Sequence, residues 1–310
     1  MITSVPGFKV GHYTDLENMT GCTVILCPPK TRASCEVRGA SPGSRELALL
    51  APDKSMQEIH AILLTGGSAF GLAAADGVMK WLEEHEVGYQ TPWAKVPIVP
   101  TAVVFDLNVG RADVRPDASA GYKACQSATS GSFLEGNVGA GCGTTVGKWK
   151  GPEFWMKGGV GSASKMVGDL VVGVLAVVNA VGDIYDSNGK IIAGARKPSG
   201  EFFADSEPVR MFARGKVLET ANTTLVVAAT NATFSKVELH RIAQRMHDGV
   251  ARAITPAHTS YDGDVSFACS CGTLDADLDL VAELAAQLTA EAIRRAVRSA
   301  KLIAGIPGLG

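Results

Sequence analysis

The sequence predicts a mixed fold, α/β or α+β, with layered sheets. Three observations carry this. Apolar, β-branched runs alternate with helix-periodic segments along the whole chain; the 35 glycines fall at the ends of apolar segments rather than in one tract; and 310 residues with 46% hydrophobic content suffice to bury a substantial core. Glycine is ordinarily about 7% of residues, and this excess at segment ends predicts tight turns and close backbone approaches.

The elements follow in order. GCTVILC, residues 21–27, reads as a short buried strand, and ASPGSRELALLAP as a Pro-Gly turn leading into a helix. In HAILLTGGSAFGLAAADGVMKWLEEHEVG, an apolar strand from Ala61 to Leu64 meets a glycine turn and a helix to about His85, with Gly88 beyond its end. VPIVPTAVVFDLNVG is a further apolar stretch broken by Pro97 and Pro100, and ASAGYKACQSATS has helix-like spacing. The glycine-dense segments 136–151 and 157–166 precede the strand-like LVVGVLAVVNAVGDIYD. From Ala193 to about Ala221 the composition turns irregular, with Pro198, Gly200 and Pro208 among charged residues, which predicts a linker. Beyond it come a strand from Leu225 to Ala229, a helix from about Ser235 to Ala253, the segment TPAHTSYDGDVSFACSCG and a final helix from about Asp277 to Lys301. No internal repeat is visible.

Composition narrows the function. A net charge of -2 and a pI near 6.3, with no Lys/Arg patch, give no footprint for nucleic acid. The N-terminus has no basic and apolar leader, and no apolar run approaches the roughly 20 residues that span a bilayer. The expectation is therefore a cytoplasmic protein without a membrane partner. Seven cysteines without a CxxC pair, and six scattered histidines, predict free thiols, no metal site and no cofactor.

Several segments invite a chemical reading. TGGSAFG lacks the second glycine of a nucleophile elbow and the Gly-Lys-Ser/Thr of a phosphate loop, so a close strand-to-helix turn is the simpler account. DADLD, 275–279, precedes an apolar helix and is explained by capping. DGD, 262–264, is different: Asp262 and Asp264 alternate along an extended segment and can point the same way. In NTTLVVAATNA, Thr223 is either an ordinary strand-start residue or a nucleophile. A threonine hydroxyl reacts only with a base beside it. An α-amino group, with a pKa of about 7.7 to 8.0, is such a base if the preceding peptide bond is cut.

Taken together, TGGSAFGLAAADGV, GNVGAGCGTTVGKWKG with KGGVGSAS, NTTLVVAATNA and HDGVARAITPAHTSYDGDVSF resemble, in that order, the self-processing P1 peptidases. That family includes the L-aminopeptidase/D-esterases, the β-aminopeptidases and the nylon-oligomer hydrolases, and the likeness runs from about Val5 to the last helix. It implies a four-layer α-β-β-α sandwich of the N-terminal-nucleophile type. It also implies one domain, 1–310, cut between Asn222 and Thr223 into a larger chain, 1–222, and a smaller one, 223–310, that stay associated. Thr223 would be the nucleophile, with Asn179 beside it as an oxyanion donor and Lys148 in its hydrogen-bond network. Asp262 and Asp264 match an acidic pair of the nylon-oligomer (6-aminohexanoate-oligomer) endo-hydrolases, where the aminopeptidases carry a serine and a glutamate. Phe105 stands where several relatives place a tyrosine near the substrate. The implied activity is hydrolysis of small linear amides or peptides through an acyl-enzyme, in a tetramer. The alternatives are an aminopeptidase, β-aminopeptidase or D-amino-acid esterase or amidase and, more distantly, an acyltransferase or a non-catalytic binding relative.

Overall fold

The run Leu170–Asn179 is apolar at nearly every position because both of its faces are covered. In this computed structural model, which describes residues 1–207 and 222–310, that run is an inner strand of one of two five-stranded sheets. Lys9–Asp15 (β1), Thr20–Leu26 (β2), Arg32–Val37 (β3), Ser44–Arg45 (β4), Ala61–Thr65 (β5) and Thr101–Val103 (β6) precede Gly159–Val167 (β7), Leu170–Asn179 (β8), Thr223–Ala232 (β9) and Val265–Leu274 (β10). The first sheet has the order β1-β2-β5-β6-β4 and the second β7-β8-β9-β10-β3. Helix Ala74–Glu84 (α1) joins the parallel pair β5 and β6, and Ala118–Gln126 (α2) follows. Helix Lys236–Ala253 (α3) joins the parallel pair β9 and β10, and Leu278–Arg298 (α4) follows. Each sheet thus runs antiparallel, antiparallel, parallel, antiparallel across its strands, a repeat of pairing sense that the sequence does not display.

Three cores hold the layers. Val10, Ile25, Ile62 and Leu64 of the first sheet meet Leu175, Val177, Leu225, Val227 and Phe267 of the second between the sheets. Val24 and Leu63 pack outward on Val78 and Leu82 of α1 and Ala120 and Ala124 of α2. Val174, Ala176, Val226 and Ala228 pack outward on Leu239, Ile242 and Met246 of α3 and Ala285 and Ile293 of α4. Strand alternation makes this possible, since odd and even residues of β8 and β9 serve different cores.

Local signals set most boundaries. Ser235 caps α3 in a reciprocal box with Glu238, and the Asp277 side chain accepts from Leu280 N–H at 2.8 Å to cap α4, the role expected of DADLD. The helix expected within ASPGSRELALLAP is only a 3₁₀ turn, Leu47–Leu50. Glu46 before it is left-handed, φ 60°, and Ala51 is already extended, φ -58° and ψ 143°, ahead of Pro52. The expected linker 193–221 lies outside the described residues from 208 on. Its described part is structured, since the helical turn Phe203–Ser206 sets its first ring 6.4 Å from that of buried Trp149. All seven cysteines are free thiols, four of them buried. Among the described residues, no helix is long and apolar enough to cross a membrane.

Candidate active site

Sheet topology brings the candidate residues together. β9 begins at Thr223, and its antiparallel neighbour β8 ends at Asn179, which pairs with Thr223 in the register. On the other side, β10 runs parallel to β9 and begins at Val265, directly after Asp262-Gly263-Asp264. Asn222 forms a parallel bridge with Asp262. Thr223 therefore lies between the end of β8 and the approach to β10. Thr224 points to the opposite face of the sheet.

The Asn222–Thr223 bond is tightly held. The Asn222 carbonyl oxygen accepts from Gly263 N–H at 2.7 Å, and the Thr223 Oγ1 hydroxyl donates to the same oxygen at 2.5 Å. Asn222 N–H donates to the Tyr261 carbonyl at 3.0 Å. Thr223 is 4% exposed. A Cβ at position 263 would lie 3.0 Å from Thr223 Oγ1 and 2.7 Å from the Ser41 carbonyl oxygen, so glycine is what lets this amide approach the carbonyl.

The two carboxylates have different partners. Asp262 Oδ2 accepts from both the N–H and the hydroxyl of Thr259, each at 2.7 Å. Asp264 Oδ1 accepts from Thr224 N–H at 2.6 Å, and its Oδ2 contacts His258 Nδ1 at 2.7 Å. Burial pushes the Asp262 carboxyl up to about 6, with the charge of Asp264 adding to the effect and the Thr259 bonds and Lys148 opposing it. Residues 38–43 strap this segment down. Arg38 and Gly39 N–H groups donate to the Asp264 carbonyl, Ser41 N–H donates to that of Asp262, and the Gly43 carbonyl accepts from Val103 N–H.

Lys148 follows Gly147, whose φ of 72° turns the chain inward. Its Nζ donates to Asn179 Oδ1 at 2.7 Å and to the Asn179 carbonyl at 3.0 Å, and the side chain is fully buried. Desolvation lowers its pKa to about 7, with Asp262 opposing the shift. A lysine so placed has a proton that is easily exchanged near neutrality.

The family resemblance implies that Asn179 is an oxyanion donor, and in the intact chain its side chain links three neighbours. Its Oδ1 accepts from Lys148 and from Thr145 N–H at 3.0 Å, and its Nδ2 donates to the Phe105 carbonyl at 2.9 Å. The backbone donor on the Asn222 oxygen is the Gly263 amide, and Asn179 Oδ1 accepts from Lys148. Phe105 joins this network through its backbone, and its half-buried ring offers no hydroxyl. Sequence reasoning singles out neither Gly263, Thr259 nor His258. The Thr259 hydroxyl, three residues before Asp262, is a readable local signal. Among the described residues, no group of three or more His, Cys, Asp or Glu is gathered to hold a metal.

In chemical terms, the arrangement puts a hydroxyl and a backbone donor on one carbonyl, with a carboxylate and a lysine of near-neutral proton affinity close by. Such a set has the chemical parts that acyl transfer to a hydroxyl requires. The sequence profile of peptidase family S58 matches residues 1–309. An uncharacterized aminopeptidase of Mycobacterium leprae (strain TN) is 42% identical over 299 residues, covering 89% of this chain and 79% of its own length. A 6-aminohexanoate-oligomer endohydrolase of Agromyces sp. (strain KY5R) is 33% identical over 285 residues, covering 87% and 74%. Among solved structures, the L-aminopeptidase D-Ala-esterase/amidase of Ochrobactrum anthropi, described as a variant of the Ntn hydrolase fold, superposes with a TM-score of 0.73. It is 22% identical, and the superposition covers 97% of this chain and 86% of that one.

Proposed function

The chain belongs to peptidase family S58, a hydrolase of amide or peptide bonds, and on that premise we propose that it activates itself by cutting Asn222–Thr223 and then uses Thr223 as an N-terminal nucleophile. The observation that carries this reading is the Asn222 carbonyl oxygen, held by Gly263 N–H at 2.7 Å with the Thr223 hydroxyl against it.

In the uncut chain, Thr223 Oγ attacks the Asn222 carbonyl carbon. Its proton passes to Asp262, the carboxylate of raised proton affinity, while the oxygen takes up negative charge on the Gly263 amide. As the C–N bond breaks, the proton goes to the Thr223 nitrogen, leaving an ester between Asn222 and Thr223 Oγ. Water then hydrolyses that ester, giving an Asn222 carboxylate and a free Thr223 amine. The new ammonium lies beside two carboxylates, which offset its charge, and in its neutral form it is the base for later turnovers. A substrate amide repeats the cycle: its acyl group goes to Thr223 Oγ, its amine departs protonated, and water releases the acid.

Chains 1–222 and 223–310 stay joined in this reading, because the cut falls at the first residue of β9 and leaves its ladders to β8 and β10 intact. The four-layer α-β-β-α sandwich is the scaffold, and a cytoplasmic tetramer the working form. Small linear amides or peptides are the substrate class. The 6-aminohexanoate-oligomer endohydrolase relative favours ω-amino acid oligomers, and the aminopeptidase relative favours removal of N-terminal residues. Denaturing electrophoresis with N-terminal sequencing tests the core of the proposal. A smaller fragment beginning TTLVVAA is expected, and a single intact chain of normal stability would overturn it.

A further inference from the structure

His258 has no part in the mechanism above, yet it touches the acidic pair directly. Its Nδ1 lies 2.7 Å from Asp264 Oδ2, and a carboxylate acceptor there fixes the ring proton on Nδ1. The other ring nitrogen, Nε2, is buried without a hydrogen-bond partner among the described residues. Asp264 is thus the polar group to which the ring answers. The backbone at His258 is left-handed, φ 56°, an uncommon conformation outside glycine that histidine adopts more readily than most residues. The His247 ring packs edge-on at 4.7 Å and closes the far side.

We propose that His258 is a positioning residue: its Nδ1–H holds Asp264 as a carboxylate, so that the one proton retained by the acidic pair rests on Asp262. The partners of the two acids support this. Asp264 accepts an N–H on each oxygen, from Thr224 on Oδ1 and from His258 on Oδ2, and a proton on either would compete with a donor already in place. Asp262 takes both Thr259 donors on Oδ2, and a proton on Oδ1 disturbs neither. Lys148 faces the pair from the turn after Gly147 and His247 from α3, and His247 in turn meets the Glu36 carbonyl of β3 and the charge of Arg38 just past its end. Burial holds His247 down near 4, so it brings no charge to the site at neutral pH.

The consequence for catalysis rests on the reading of Thr223 given above. With Asp264 kept as an anion, it anchors Thr224 N–H and so the start of β9, while Asp262 alone exchanges protons with the Thr223 hydroxyl. Without the His258 donor, either acid can hold the last proton, and that proton is lost at higher pH.

The test uses the full chain carrying Thr223→Ala, which cannot cut itself, and follows the aspartate carboxyl carbons by 13C NMR from pH 4 to 8. With His258 present, the Asp262 carbon moves through about pH 6 while the Asp264 carbon keeps its carboxylate shift. Adding His258→Ala makes the Asp264 carbon move as well. Adding His258→Asn, which keeps an N–H donor and suits a left-handed backbone, returns the single titration. In the cutting-competent chain, His258→Ala moves the acid limb of the self-cleavage rate up by about one pH unit, and His258→Asn restores it. An Asp264 carbon indifferent to His258→Ala, or equal effects of Ala and Asn, would overturn the proposal. A wild-type chain that never cuts sinks the Thr223 reading instead, while the carboxyl titrations still decide the role of His258.

Discussion

Among the described residues, two buried lysine–carboxylate neighbourhoods each adjoin a threonine, and the two hydroxyls have different partners. Around β9, Lys148 and Asp262 flank Thr223. Around β6, Lys157 and Asp106 flank Thr20. The electrostatics are alike: burial lowers Lys148 to about 7 and Lys157 to about 8, and raises both carboxyls. The hydrogen bonding differs. Thr20 gives its hydroxyl to Asp106 at 2.7 Å, the other Asp106 oxygen takes Gly67 N–H at 2.7 Å, and Lys157 donates to the Cys142 carbonyl at 2.8 Å. In that set the hydroxyl and both acid oxygens are committed to one another, which pins the glycine turn after β5. At β9 the Thr223 hydroxyl lies instead on a carbonyl oxygen that a second donor already polarises. Shifted proton affinity alone therefore marks burial, and the target of the hydroxyl marks chemistry.

Matched substitutions can break this contrast. The largest effect is expected at the two threonines. Thr223→Ala abolishes self-cleavage and lowers amide hydrolysis by about 10³-fold or more. Thr20→Val leaves processing intact and costs roughly 1 kcal/mol of stability in urea titrations. Electrophoresis and denaturation of both variants check the pair, and loss of processing in Thr20→Val would erase the distinction.

Next come the lysines. Lys148→Met slows self-cleavage by about 10²-fold, because Asn179 and the carboxylates lose their cation. Lys157→Met lowers Tm by several degrees, since Asp106 keeps its burial without a neighbouring cation, but its folded fraction cuts at the wild-type rate. Quenched time courses of freshly refolded precursor measure both.

The pH dependence is expected to be tenfold per unit. Below about pH 6 the self-cleavage rate falls with the ionised fraction of Asp262. For stability the sign is opposite. Asp262 has a folded value of about 6 above the ordinary 3.8, so its contribution is fully present below about pH 4 and lost as pH rises through 6. Thr223→Ala with Asp262→Asn should remove that slope, which urea denaturation between pH 4 and 7 would reveal. The smallest effect is geometric. Gly263→Ala places a Cβ against the Ser41 carbonyl and Thr223 Oγ1 and slows cleavage several-fold to about tenfold.

Much of this is legible in the residues. The Ser235–Glu238 box and Asp277 set helix starts by local hydrogen bonds, so sequence suffices there. The turn at 47–50 misleads because a distant contact, Glu46 Oε2 with Val99 N–H at 3.1 Å, helps hold Glu46 where no helix can begin. At the candidate site, Asp262, Asp264 and Thr223 are visible because side-chain chemistry leaves a residue type behind. The Gly263 amide is not, since every residue but proline has one and only the fold aims it. His258 is hidden for a different reason: a single histidine six residues from its partner matches no helical or strand period.

The order of the second sheet has a further consequence once the bond before Thr223 is cut. β9 and β10 belong to the smaller piece, while their outer neighbours, β8 and β3, belong to the larger. Neither piece would then own the whole second sheet, and α3 and α4 would leave with the smaller one. Folding of the intact chain is a unimolecular event, whereas regaining this sheet after the cut requires two molecules to meet. A chain cut at that bond would depart from a fold that it could not readily re-enter, and its lifetime would be set by how slowly it opens rather than by an equilibrium it could return to.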